Sequence, residues 1–498
     1  MSVNQIKSIL LGTCLMMSFA STILAESLED GLTAFKAQNY SKAHSIWRTL
    51  ASQGDANAQY YLGQLYREGQ GVPQDYKEAA AWYQRAADQG HPSAQNNLGF
   101  LYLNGLGVPE NFEIAYKWLN LSAAAGHKDA LKGIENLRSK MTVKQIAETE
   151  AKLGWMYQRG WIVSQNSKEA ARWYLSAALK GQVSAQYKLG EMFFGGEGAP
   201  QDHEEARRWF TSAAIKGHPA AQLSLAKMYL RGQGGDKNTS VAYAWFFVAS
   251  TLGMGEATKE MVLLKRNLSG AEEAEANNRI GVFYQSGLGI ESDIRQALKY
   301  YNFSASKGYA SAQYNLGLLY KNGTGVFRNE MKAHDWFLKA AEQGHTLAQI
   351  NLASLYQNGY GGKPDVAVAI KWYLAAAEKN SSVAQVRLGL IYYLGQGVEQ
   401  DVEKAQQWFE KAALLGHPRA FEALGRIYYL GHGVEQDDVM AHKWFTLADA
   451  AGDKASKAVL EVLDGRMSEE QIGQAQQLVQ DWQGERESSQ PNATLPEQ

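Results

Sequence analysis

Residues 63–90 read "GQLYREGQGVPQDYKEAAAWYQRAADQG". Glycines, four acidic residues and an alanine-rich run with a tryptophan share this stretch. Read alone, its GxG before a helix resembles a phosphate-cradling turn. Read with the rest of the chain, it is one copy of a repeat. The glycine of "LG" recurs as an anchor at Gly63, Gly99, Gly154, Gly190, Gly281, Gly317, Gly389 and Gly425, with Ala226 and Ala353 in the same place. Successive anchors lie 36 residues apart, except for two steps of 55, which is 36 + 19. Gly follows six after the anchor in all ten units, and Ala sixteen after it. Nineteen after it stands Trp in nine units and Tyr300 in the tenth. A period of this length is the mark of a repeat architecture. No GK[ST] follows the glycines, so a phosphate loop is excluded.

Local chemistry gives each unit its shape. An Asp or Asn lies twelve after every anchor, at Asp75, Asn111, Asn166, Asp202, Asn238, Asp293, Asn329, Asp365, Asp401 and Asp437. Such side chains accept from the free amides of a first helical turn, so these are expected N-caps. Glu78, Glu169, Glu205 and Gln296 stand three later and are expected to complete capping boxes. The helix so begun should stop at Gly90 and its equivalents, with Asn380 replacing glycine once. The next helix carries the anchor and starts with Pro in His91-Pro92, His218-Pro219 and His417-Pro418, a position where the missing N–H costs nothing. Each unit is thus an antiparallel pair: an A helix with the anchor and a B helix with the tryptophan. The small anchor should allow close approach of the helices. Trp82 and Tyr66 should fill the gap between neighbouring pairs.

The 36-residue unit "AQYYLGQLYREGQGVPQDYKEAAAWYQRAADQGHPS" resembles the Sel1-like repeat, a relative of the tetratricopeptide repeat. Residues 26–57 resemble a shorter, degenerate first unit, with Ala43, Ala51 and Gly54 in phase, for about eleven units. The resemblance implies an all-α, right-handed superhelical α-solenoid whose concave face binds proteins. It further implies a non-catalytic adaptor, exported in many bacterial members.

The two longer steps mark an internal order. "MTVKQ" at 141, "LSGAE" at 268 and "MSEEQ" at 467 each begin 42 residues after an anchor and each contain a capping box. The same closing hairpin therefore appears three times. The expected organisation is a signal peptide at 1–25, repeat blocks at 26–149, 150–276 and 277–484, and a disordered tail at 485–498. The first helix after each internal insertion, from Thr142 and from Ser269, is expected to be lengthened by about two turns.

Composition narrows the function. The net charge of −2 favours neither nucleic acid nor a solvating acidic tail. Lys7, the apolar run from Ile9 to Ala20 and Ile23-Leu24-Ala25 read as an export signal cleaved near Ala25. Export points to the periplasm, with a secreted or outer-surface location as the alternative. A lipoprotein attached through Cys14 fits the flanking residues poorly. Cys14 is the only cysteine, so the mature chain carries none for zinc or nucleophilic chemistry. No apolar run is long enough to span a membrane. His91, His127, His218, His345 and His417 share one repeat position between helices and are too far apart to ligate one ion. No cofactor or metal is expected. A cysteine-rich branch of the resembled family was proposed to bind or hydrolyse β-lactams. Its Cys pair per repeat is missing here, so hydrolysis is the least supported reading.

Specificity should lie where copies differ. Offsets −3, +1 and +4 from the anchor share one face of the A helix. They nominate Tyr60, Arg67, Phe100, Trp155, Tyr187, Phe194, Leu230, Tyr314, Leu390, Tyr393, Arg426 and Tyr429 as contacts for a protein partner. Trp161 joins them as a loop residue in "GWIVSQN", where the second glycine of the turn is lost. It is either a contact residue or a cover for the inserted hairpin.

Overall fold

Asp75 shows how one unit is made. Its carboxylate accepts from the Lys77 and Glu78 amides and starts the B helix Tyr76–Asp88. The chain reverses at Gly90, whose φ of 82° is left-handed. It re-enters the A helix Pro92–Asn104 with Pro92 in the first turn. The computed structural model describes residues 26–359 and 363–489, and among these it contains 26 helices and no strand. All ten Asx residues cap B helices through their side chains. The chain divides between Lys237 and Asn238 into two compact units. Within each unit the helix pairs stack so that every helix packs chiefly on its neighbours in sequence, an α-solenoid arrangement.

The anchor holds each pair together. A Cβ on Gly63 would lie 2.5 Å from the Tyr83 ring, and one on Gly317 would lie 2.5 Å from Phe337. The aromatic that meets the anchor is therefore twenty residues after it, one beyond the repeated tryptophan. Tyr83, Phe337 and Phe409 are at most 1% exposed, whereas Trp82, Trp336 and Trp408 are only half-buried. The tryptophan is buried, at no more than 5% exposure, in three units alone, as Trp118, Trp245 and Trp444. These are the units followed by a closing hairpin. The degenerate first unit, Leu28–Lys36 with Tyr40–Ser52, keeps the same contact: Gly31 lies against Trp47.

Successive units are tied by a glutamine four before the anchor. Gln95 donates to the Ala87 carbonyl at 3.2 Å, reaching back to the end of the preceding B helix. Gln59, Gln186, Gln222, Gln313, Gln349 and Gln385 repeat the bond. A second tie stacks aromatics on the capping histidines. Tyr60 lies on His91, Tyr187 on His218 and Tyr314 on His345, with ring centroids 4.6, 4.5 and 4.7 Å apart.

Several expectations require correction. Glu78, Glu169, Glu205 and Gln296 close no capping box, because the cap's own N–H is already taken. Asp75, Asn166, Asp202 and Asp293 donate it to the carbonyls of Tyr66, Tyr157, Phe193 and Tyr284 in the A helix. Boxes do form at Thr142–Gln145, Ser269–Glu272 and Ser468–Gln471, where the cap's own N–H donates to the side chain three later. Each internal insertion adds a separate helix, Lys128–Lys140 or Gly255–Lys265. The helix after it has 17 residues against 13 in an ordinary A helix, so it gains four residues, about one turn and not two. The block boundaries at 149/150 and 276/277 fall inside these longer helices, Val143–Arg159 and Gly270–Ser286. The last helix, Glu469–Ser489, runs into the stretch expected to be a disordered tail. The export segment with Cys14, and residues 490–498, lie outside the described residues.

Two predictions follow from the packing. Gly317→Ala forces a methyl into the Phe337 ring and should destabilise the chain by about 1–3 kcal/mol, read as a lower urea midpoint. The second concerns acid. His91, His218 and His345 each accept a backbone N–H at Nδ1, at 3.2 Å, which needs an unprotonated nitrogen. Burial, the largest influence at each ring, pushes its pKa below the ordinary 6.5; Asp55 near His91 and Glu191 near His218 oppose this only in part. The unfolded chain therefore takes up protons first. The contribution of these caps is complete above about pH 6.5 and is lost as pH falls below it. Melting temperature should drop between pH 7.5 and 5. In a chain carrying His91→Asn, His218→Asn and His345→Asn the drop should shrink, because Asn caps without titrating.

Candidate functional site

The first internal insertion breaks the repeat in several ways at once. In the helix Val143–Arg159, Glu150 stands where other units have the tying glutamine. The residue eight before it is Thr142, the cap of that same helix, and not the end of a B helix. Glu150, with its side chain 1% exposed, instead pairs with Lys180 at 2.9 Å. The turn that follows also departs. Ile162 occupies the place of the second glycine and adopts φ 69°. A β-branched side chain there is a true outlier. The turn's backbone lies close to Gly90.

These departures set two indoles side by side on the surface. Trp155 is 44% exposed and Trp161 53%. Their centroids are 5.7 Å apart and their planes 67° from parallel, an edge-to-face pair. A cavity of about 530 Å³ opens beside them, walled also by Lys117, Glu148, Lys152 and Gln182. Lys117 lies 3.9 Å above the Trp118 ring, and burial lowers its pKa, with Asp88 partly opposing. Lys152 is 3.6 Å from the Glu113 carboxylate. The result is an apolar, aromatic surface with mixed charge at its rim. Exposed tryptophans in such a setting are typical anchors of protein interfaces. Trp161 rests on Trp155 with half its surface in solvent.

The other candidates have different surroundings. Tyr60, Tyr187 and Tyr314 are half-buried in the stacks on the capping histidines, and the Tyr187 hydroxyl donates to Glu191 at 2.7 Å. Phe100 is half-buried and reaches toward Gly133 of the inserted helix. Arg67 pairs with Glu68 at 2.5 Å, and exposed Arg426 with Glu422 at 3.2 Å. Phe194 packs beside His203, 5.0 Å between centroids. Tyr393 hydrogen-bonds His432 at 2.7 Å, and Arg466 lies 4.8 Å from the Tyr429 ring centroid. Leu230 and Leu390 are half-buried. The more exposed line of the A helices runs one step around from the chosen face. It is formed by residues such as Lys152 and Arg387, two before the anchor, and Trp155 and Arg426, one after it. Only the offset +1 is common to both lines.

Each of the five cap histidines sits at the start of a different helix, and three of them bond through the side chain. Among the described residues, no three His, Cys, Asp or Glu side chains form a metal-binding group.

The Sel1 repeat model matches ten segments: 56–91, 92–127, 147–182, 183–218, 219–254, 274–309, 310–345, 346–381, 382–417 and 422–453. The chain belongs to the Sel1 repeat family. The matches leave out 128–146 and 255–273, the two 19-residue insertions that hold the extra helices. Among solved structures, the chain is 30% identical to a protective antigen of uropathogenic Escherichia coli with an SLR fold, over 95% of both chains, at a TM-score of 0.43. It is 30% identical to a Sel1 repeat protein of Oxalobacter formigenes over 53% of this chain and 99% of that one, at a TM-score of 0.37. Yeast Tom70 is 14% identical over 92% and 95%, at 0.31. No curated protein sequence matches the chain. Sel1 repeat proteins generally mediate protein–protein interaction and are typically non-catalytic. Among the described residues no helix is long and apolar enough to cross a membrane.

The paired tryptophans carry little of the fold's stability if their exposed faces are a contact surface. Trp161→Ala should leave the chain folded and shift stability by no more than about 0.5 kcal/mol, as for ordinary surface sites. Tyr83→Ala, removing a ring that is 0% exposed, should cost about 3–5 kcal/mol in the same urea titration.

Proposed function

We propose that this Sel1 repeat chain is an exported, non-catalytic scaffold of the bacterial cell envelope that holds a protein partner on the face of its A helices. The observation that carries this reading is the exposed pair Trp155 and Trp161. Large aromatic side chains in solvent cost a lone protein solubility and suit a protein partner. The family's general role in protein interaction supports the binding function. Residues 1–25, read as an export signal, support the location.

A photo-crosslinking amino acid at position 155 or 161, in cells at native expression, tests it. A defined band should form from either position. None should form from position 172 on the B helix, where Arg172 is exposed. Capture from 172 alone would refute the face assigned here. Fractionation of the same cells should place the chain in the periplasm. Recovery from the medium would point instead to a secreted, host-interacting factor.

A further inference from the structure

The A helices Val183–Gly195 and Pro219–Arg231 enclose a slot of about 370 Å³ within the first compact unit. Its floor is apolar: Phe194, Phe210 and Met228, the last two at most 2% exposed. This volume lies near the small end of the range of about 300–1,000 Å³ for ligand pockets, a size for one side chain rather than a cofactor.

Two features of the slot bear on what it could hold. Gly195 is the first. It stands in the last turn of its helix, where glycine costs about 0.5–1 kcal/mol against alanine. The nearest atom to an added Cβ would be 4.0 Å away, so nothing crowds it, in contrast to the anchor glycines. Other units carry Leu394 or Leu430 at this place. The absence of a side chain keeps the slot open. The second is Gln233, whose Oε1 is buried without a hydrogen-bond partner. A buried acceptor left unpaired costs about 1–3 kcal/mol, so the slot is suited to a ligand that brings an N–H.

Charge narrows the ligand. Lys227 and Arg231 line the slot, as does Glu191, which is already bonded by Tyr187 and Lys188 at 2.7 Å each. Among the lining residues, Lys227 and Arg231 against Glu191 give 2 − 1 = +1. An anionic segment is favoured over a cationic one.

We propose that this slot receives one apolar side chain, phenylalanine- or leucine-sized, from an extended acidic segment of a partner protein. The side chain sits on Phe194, Phe210 and Met228. The segment's backbone N–H donates to Gln233 Oε1, and a flanking carboxylate accepts from Arg231. This rests on the reading that the A-helix face binds a protein.

Fluorescence anisotropy on the full chain tests it with a fluorescein-labelled acetyl-Glu-Asp-Phe-Asp-Glu peptide. Control peptides carry Ala for Phe, or Lys for every acid. The first peptide should bind, and both controls should bind at least about tenfold more weakly, as for loss of an anchor residue. Gly195→Leu fills the slot with a side chain that other copies, at Leu394 and Leu430, already accommodate, and Arg231→Glu reverses an exposed charge. Each should weaken binding by about tenfold or more, while Arg172→Ala, on the exposed B-helix face, changes it less than about twofold. No binding of the Phe peptide, or equal binding in Gly195→Leu, overturns the proposal. If crosslinking at Trp155 and Trp161 persists in that case, the scaffold reading stands and only the slot is refuted.

Discussion

The contact between a missing side chain and an aromatic ring governs this architecture. At Gly63, Gly190, Gly281, Gly317 and Gly389 a Cβ would lie 2.5 to 2.7 Å from the ring twenty residues on. Real carbon atoms do not approach so closely. The two helices of a unit therefore sit nearer to each other than ordinary side chains permit, and the ring is sealed between them. Close packing of this kind resists added volume more than it resists polar change at the rim. Ala226 and Ala353 occupy the same place in two units, so the constraint is smallness and not the backbone freedom of glycine. The turn glycines answer to a different demand, a left-handed φ, as at Gly69 with 69°.

One hairpin cannot bury its own outer faces, so the contacts between hairpins complete the core. The glutamine bonds and the histidine–tyrosine stacks both run from one unit to the next. They make each repeat dependent on its neighbour, as expected of a linear array. Where an extra helix is inserted, these ties must be rebuilt. The Glu150–Lys180 pair stands where Gln59–Gln89 and Gln313–Gln343 bond within ordinary units, with charge in place of amides. The burial of Trp118, Trp245 and Trp444 is another change, and it occurs only ahead of a closing hairpin. The final hairpin follows the same scheme, with Trp482 packed edge-on against Phe421 and Trp444. In the helix that holds Trp482, Gln480 stands 55 residues after Gly425, where an anchor would fall, so it lacks the small residue against which a further B helix docks.

What was legible in the sequence was local. Asx caps, turn glycines and the period depend on a few adjacent residues, and all ten caps are where the spacing puts them. What was not legible depends on atoms far away in the chain. Glu78 looks like half of a capping box until the Asp75 N–H is seen to bond the Tyr66 carbonyl. Trp82 looks like core because it recurs, yet Tyr83 is the ring under the anchor, and its position varies among Tyr, Phe and Leu in ways that hide it. Gly31 escaped notice because its cap, Asn39, comes eight residues later and not twelve. The choice of offsets −3, +1 and +4 found Trp155 but also took in the stacking tyrosines. Which side of an A helix faces its neighbour is set by how repeats stack, and one helix's periodicity does not contain that.

The site at the first insertion is best understood through Ile162. The left-handed conformation costs an ordinary residue about 1–2 kcal/mol, and more care is needed for a β-branched one. Gly71, Gly107 and Gly198 occupy the same place in other units with φ of 71°, 67° and 76°. Nothing in the repeat itself asks for isoleucine there. Its side chain packs at the edge of the core beneath the turn, which offsets part of the strain. The same turn presents Trp161, and the helix before it presents Trp155. The local cost at Ile162 and the exposed aromatic pair thus lie on one turn and the helix before it. The array around it supplies the stability that lets one turn depart from the pattern, so the regular units hold position while the joint departs from the repeat.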